Sequence, residues 1–238
     1  MGTLKEPKDW REKVEYAVEQ TKVLLYPRQK LETFSSTTIR YYVLSELLDS
    51  VNQVRLRQGL VTAERPKIIT PTYLRNVALE GFTEDARDFL NWLNQYADGY
   101  RFMEYGYHIQ QASLSQQVLS GDIRTVAGNI ERKVQDAQDS LAGIVIGVDN
   151  LWEISLIKFI TDVTRGSIQK QVRDLSEHRL FDLESGVPRY VRQEIEAAIQ
   201  QAEENPSTLR ELGSLLQRHG LFEEYQDRFF EVIRRSRR

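Results

Sequence analysis

The sequence predicts an α+β fold, mainly α: a small three-stranded antiparallel meander packed on a larger helical body with one long, bent helix. Three observations carry this expectation. Apolar residues keep three- and four-residue spacing from 122 to 163, period-two alternation runs through 37–64, and capped helical patterns recur through the C-terminal third. The expected organisation is an N-terminal part, 1–120, holding a helix, the small sheet and further helices. A helical region, 121–238, follows with a long helix and a terminal trio, in one continuous core with the first part.

Residues 7–25 read as the first helix, with Trp10, Val14, Ala17, Thr21 and Leu24 on one face and Tyr26-Pro27 closing it. From Thr37 the period changes. Ile39, Tyr41 and Val43 alternate with Arg40, Tyr42 and Leu44, which predicts a strand. A linking segment at 47–50 leads to a second alternation at 51–57, and Gln58-Gly59 is expected to turn the chain into a third strand at 60–64. Such a meander needs a helix on its apolar face.

Thr70-Pro71 starts a helix expected to reach residue 80, and Thr83 caps another over 84–96. Over 100–119 two patterns compete. Met103, Tyr105, Tyr107 and Ile109 alternate like a strand, whereas Phe102, Tyr105, Ile109, Ala112, Gln116 and Leu119 keep helical spacing over a longer window, and the longer pattern predicts a helix. Ser120-Gly121 then turns the chain into the long helix, capped by Asp122. That helix carries Ile123, Val126, Ile130, Val134, Ala137, Leu141, Ile144, Val148, Trp152, Leu156, Phe159 and Val163 on one stripe. Unbroken it would run about 60 Å at ~1.5 Å per residue, so a bend is expected at 143–150, where two glycines and Asp149-Asn150 weaken helix propensity. Gly143 and Gly147 would let another helix approach closely. The helix is expected to loosen at Gly166, and 180–187 reads as a connection. Pro188 opens a helix over 189–204, Asn205-Pro206 starts the next, His219-Gly220 stops it, and 221–234 is the last. Glu224 with Arg228, and Glu231 with Arg235, have four-residue ion-pair spacing.

With 40% hydrophobic residues the 238-residue chain can bury a full core. The absence of cysteine excludes disulfides, thiolate metal sites and a cysteine nucleophile. A polar start over 1–11 carries no secretory pattern, and with the missing cysteines it fits a cytoplasmic location. The longest apolar run, 141–148, is too short for a membrane span. A net charge of −3 argues against a non-specific grip on nucleic acid by the whole surface, while leaving room for a local basic face.

No catalytic motif stands out. His108, His178 and His219 are scattered without metal-ligand spacing, and no metal or other cofactor is expected. Ser155 and Lys158 match S-x-x-K, but no partner motif accompanies them and both fall beside the apolar stripe, on the side expected to face water. Two surfaces rise above this background. If Ile39, Tyr41, Val43, Val54 and Leu56 face the core, Arg40, Tyr42, Arg55 and Arg57 share the other sheet face and could hold phosphates, carboxylates or bases. An aromatic group, Trp92, Tyr96, Tyr100, Tyr105 and Tyr107 followed by His108, could line a ligand pocket. The leading expectation is a non-catalytic interaction or scaffold protein that meets a protein partner or itself through helical surfaces. Nucleic-acid or anionic-ligand binding through the basic sheet face is the alternative, and an enzyme with a tyrosine-rich pocket is the third.

Overall fold

The longest apolar run in the chain is a strand. Ala142–Ile146 is short, β-branched and bounded by Asp139-Ser140 and Gly147, and four of its five residues are buried. A run buried on both faces has no alternation to show, so in sequence it extends a helical stripe as readily as it makes a central strand. The computed structural model, which describes residues 10–47, 51–73 and 102–236, therefore replaces the expected bent helix by two helices with this strand between them.

The chain falls into two compact units, Met1–Arg65 with Tyr105–Arg173, and Pro66–Glu104 with Asp174–Arg238. The first unit holds a five-stranded mixed sheet. Its strands are β1 (Lys22–Leu25), β2 (Thr37–Glu46), β3 (Gln53–Ala63), β6 (Tyr107–Ser120) and β7 (Ala142–Ile146), in the spatial order β1-β7-β2-β3-β6. Only the β2–β7 pair is parallel. Helix α1 (Trp10–Gln20) precedes β1, so the expected first helix ends early and its last turn is instead an edge strand.

Helix α3 (Ile123–Asp136) covers one sheet face, packing Val126, Ala127, Ile130 and Val134 on Tyr42, Leu44, Leu56 and Ile144. Asp122 caps it as expected, accepting from the N–H groups of Arg124 and Thr125 at 3.0 Å each. Helix α4 (Trp152–Glu177) covers the other face with Leu156, Phe159, Ile160 and Val163 against Ile39, Tyr41, Val43 and Val145. It runs through Gly166 without a break. A mixed sheet with a helix on each face replaces the expected meander lying on a helical body.

Glycines set how closely α4 can lie. A Cβ on Gly143 would stand 2.1 Å from Phe159 Cζ, and one on Gly147 would stand 2.2 Å from Ser155 Oγ. The close approach expected of this pair is real, but the glycines belong to β7 and its exit rather than to a helix. Gly59 is likewise no turn. It lies within β3 opposite Tyr41, where a Cβ would meet the tyrosine hydroxyl at 2.6 Å, and β2 and β3 pair from Glu46 with Val54 to Thr37 with Ala63, with Val51 and Asn52 in the turn before β3.

Residues 102–119 give strands where the longer pattern over 100–119 predicts a helix: β5 (Phe102–Glu104), paired with β4 (Lys67–Ile69), and β6. In the second unit β4 and β5 accompany α2 (Pro71–Tyr73), a short β8–β9 hairpin (Leu183–Glu184 and Val187–Pro188), α5 (Arg189–Glu204), α6 (Leu209–His219) and α7 (Phe222–Ser236). Thr70 Oγ1 accepts from the Tyr73 N–H at 3.1 Å, the expected cap, and the helices expected beyond Tyr73 lie outside the described residues. Asn205 caps the Pro206–Thr208 turn that leads into α6, accepting from the Ser207 N–H, and Gly220 ends α6 in the left-handed region at φ 68°, both as read. Val191, Ile195, Ile199, Leu212, Leu216, Tyr225 and Val232 make this unit's core. Glu231 pairs with Arg235 within α7, but Glu224 and Arg228 do not pair with each other. They reach α5, at Arg192 and Glu196.

His219 closes α6 at 6% exposure, its ring 5.2 Å from that of Tyr73. Burial, aided by the Arg218 charge, pushes its pKa down from 6.5 to about 4. Its folded-state value lies below its unfolded one, so the stability is complete above pH 6.5 and is lost as pH falls towards 4. The loss has an upper bound of about 3 kcal/mol. Urea titrations of the second unit at pH 7 and pH 4.5 are expected to show the fall, and His219→Leu should flatten it.

Candidate functional site

The arginines of the sheet are separated by register. In the β2–β3 ladder Val43 pairs with Arg57, Ser45 with Arg55, Tyr42 with Gln58 and Arg40 with Leu60. Paired residues share a face, so Arg55 and Arg57 stand on the α4 side while Arg40 and Tyr42 stand on the α3 side. The four residues expected to form one basic face do not meet. Both faces carry apolar residues under a helix, and alternation alone could not tell which belonged with which. Arg40 pairs with Asp139 at 3.0 Å, and Tyr42 is buried.

On the α4 side the 149–151 turn brings Asp149 between the two guanidinium groups. Asp149 Oδ1 accepts from Arg57 Nη1 at 2.9 Å, and Oδ2 takes Arg55 Nη1. Arg57 is only 6% exposed. Its Nε donates to Gln116 Oε1 at 3.0 Å, Ser45 Oγ lies 3.5 Å from Nη1, and the Trp152 ring lies beneath it with its centroid 5.3 Å from Cζ. Arg55 differs. Its Nη1 is used, its Nε is buried with no hydrogen-bond partner, and among the described residues nothing pairs with Nη2. Two positive charges thus meet one carboxylate.

This cluster lies at the carboxyl ends of the parallel strands β2 and β7, beside a cleft of about 570 Å³. Its walls include Tyr16, Gln20, Glu46, Arg55, Asp149 and Asn150. In sheets flanked by helices on both faces, crevices at strand carboxyl ends are common ligand positions, because the connecting loops diverge there. Ser155 lies behind the cleft wall and is fully buried, 2.7 Å from Thr21 Oγ1. It does not face water as the stripe suggested. Lys158 pairs with Asp162 at 3.0 Å, so the S-x-x-K match is structural.

The described members of the aromatic group divide: Tyr105 and Tyr107 both bond to α4, and His108 does not. Tyr107 lies on the α4 side, hydrogen-bonded to Thr164, whereas the adjacent His108 points to the other side and meets Glu64 Oε1 at 2.5 Å. Tyr105 donates to Gln171 Oε1 at 2.9 Å, and burial raises its pKa to about 12. Trp92, Tyr96 and Tyr100 lie outside the described residues. Among the described residues no group of His, Asp and Glu has the geometry of a metal site.

Sequence reasoning missed the edge of the sheet. β6 is fourteen residues long and contains no Asp, Glu, Lys or Arg, in a chain whose charged fraction is 28%. It pairs with β3 on one side, in two stretches separated by an irregularity opposite Gly59, and is an outer strand of the sheet. Ile109, Leu114 and Val118 are 46%, 41% and 49% exposed. The opposite edge, β1, is four residues long and starts with an exposed lysine. The signal was present in the absence of charge across 107–120, but it has meaning only once the segment is known to be an edge.

No protein-family model, curated protein or solved structure matches the chain.

Proposed function

We infer that this is a non-catalytic interaction protein that self-associates by adding β6 of a second copy to β6 of the first. The observation that carries this reading is a long outer strand with no charge and three exposed apolar side chains. Outer strands present a row of backbone N–H and C=O groups to any passing chain, and proteins normally blunt them with charge, proline or brevity. β1 is blunted in this way and β6 is not. Two copies of one strand meeting antiparallel across a two-fold axis satisfy each other's backbone groups and bring like apolar residues together.

The helical surfaces expected to mediate association supply a comparison. Ile157, on α4 and not on β6, is 61% exposed. Light scattering on the eluting protein is expected to give twice the 27.8 kDa chain mass. Leu114→Lys with Val118→Lys should return it to one chain mass, since two lysines per copy would be forced together at the two-fold contact. Ile157→Lys should leave the larger mass unchanged. Loss of the dimer in Ile157→Lys and its survival in the strand variant would transfer the interface to the helix.

A further inference from the structure

We propose that the cleft at the carboxyl ends of β2 and β7 binds a small molecule carrying a phosphate or carboxylate group, received by Nη2 of the Arg55 guanidinium. A guanidinium has an end formed by its two Nη atoms and a side formed by Nε–H and Nη2–H. On Arg55, Asp149 takes Nη1 and Nε is buried, which leaves Nη2 as the donor open to a ligand, and among the described residues nothing accepts from it.

Two further observations point the same way. Arg55 and Arg57 share the single carboxylate of Asp149, and among the described residues no second carboxylate lies within ion-pair distance of either. A half-buried surplus of positive charge costs free energy that an incoming anion would recover. The surplus also faces open space: Arg55 lines a cleft large enough for a small metabolite, with Tyr16, Gln20 and Asn150 offering neutral hydrogen-bonding groups.

Glu46, also on the cleft wall, narrows the class. A bare dianion would be repelled by it, whereas a ligand with an ammonium or hydroxyl group a few bonds from its anionic end would satisfy both Arg55 and Glu46. The ligand class is therefore a small phosphate or carboxylate that also carries a hydrogen-bond donor. Nothing in this depends on self-association, since every residue of the cleft belongs to one copy.

The test is nitrogen-detected magnetic resonance of arginine Nε–H groups in the full chain, with the Arg55 signal assigned by its loss in Arg55→Lys. Inorganic phosphate and phosphoethanolamine are titrated separately at constant ionic strength, with chloride as the reference. A saturable shift of the Arg55 Nε–H signal by both phosphates is expected, with phosphoethanolamine binding about tenfold more tightly than phosphate. Glu46→Gln should remove that advantage without abolishing the shift. Arg55→Gln should weaken binding of phosphoethanolamine, followed calorimetrically, at least tenfold. No shift of any arginine Nε–H signal at tens of millimolar, or only non-saturating shifts equal to those with chloride, would overturn the proposal even if every variant failed to fold, because that result needs no assignment and is read on the unaltered protein. Equal affinity for the two phosphates would overturn the role given to Glu46 and with it the ligand class.

Discussion

Asp149→Ala is expected to destabilise the first unit by about 3 kcal/mol, more than any other single change to a polar side chain in it. The carboxylate is the only acidic group, among the described residues, within ion-pair distance of Arg55 and Arg57. Removing it leaves the Arg57 guanidinium charged, 6% exposed and stacked on Trp152, with only neutral acceptors from Gln116 and Ser45. A buried cation without its counter-charge cannot escape by losing its proton, because arginine stays protonated at any accessible pH. Arg55→Ala is expected to cost less, about 1 kcal/mol, because Asp149 remains held by Arg57 and Arg55 is the more exposed of the two. Urea denaturation of the two variants checks the order. A loss below 1 kcal/mol in Asp149→Ala would mean that the pair contributes little to the fold.

The second large effect is steric. Gly143→Ala places a methyl group 2.1 Å from Phe159 Cζ, far inside contact distance, and Phe159 is fully buried between α4 and the sheet. Neither the ring nor the backbone of β7 can give way cheaply, because β7 is held on both sides by β1 and β2. Overpacking of this kind costs about 3 kcal/mol. The cause is separable from any loss of backbone freedom. Phe159→Leu leaves space where the ring tip stood, so Gly143→Ala made in that background should cost much less than in the parent protein. A coupling of more than 1 kcal/mol in the double-mutant cycle is expected, and additive effects would contradict the geometric account.

These two sites also show what could be read from the residues. Chain ends of helices were legible because caps act locally. Asp122, Thr70, Asn205-Pro206 and Gly220 each satisfy or release backbone groups within a few residues, and each terminates an element as expected. Strand β2 was legible because β-branched and aromatic residues crowd 37–44. Strand β7 was not, since 142–146 is buried on both faces and its residues fall by coincidence into the helical period of the segments either side. β6 was lost for the opposite reason. Gln110, Ser115, Gln116, Gln117 and Ser120 are exposed, so no apolar face repeats with period two along its length, and weak helical spacing filled the gap.

The candidate site was legible in part. Arg55 and Arg57 were singled out and do lie together, two residues apart on one face of β3. Their company was misread, because grouping them with Arg40 and Tyr42 requires a hairpin register one residue away from the observed one, and such a slip exchanges the two faces of a strand. Asp149, Ser45, Gln116 and Trp152 come to Arg57 from four separate segments, and no local pattern in sequence joins them.

The central claim is that the free edge of β6 is covered by another β6. Amide hydrogen exchange over residues 115–120, followed at a concentration where the mass is twice that of one chain and again after dilution to the monomer, tests it directly. In an antiparallel ladder alternate N–H groups of β6 serve β3 and the others point outward. The account predicts that these outward amides are protected in the concentrated sample and exchange freely on dilution, while those bonded to β3 are protected in both. Fast exchange of the outward amides in a sample shown to be dimeric would contradict it.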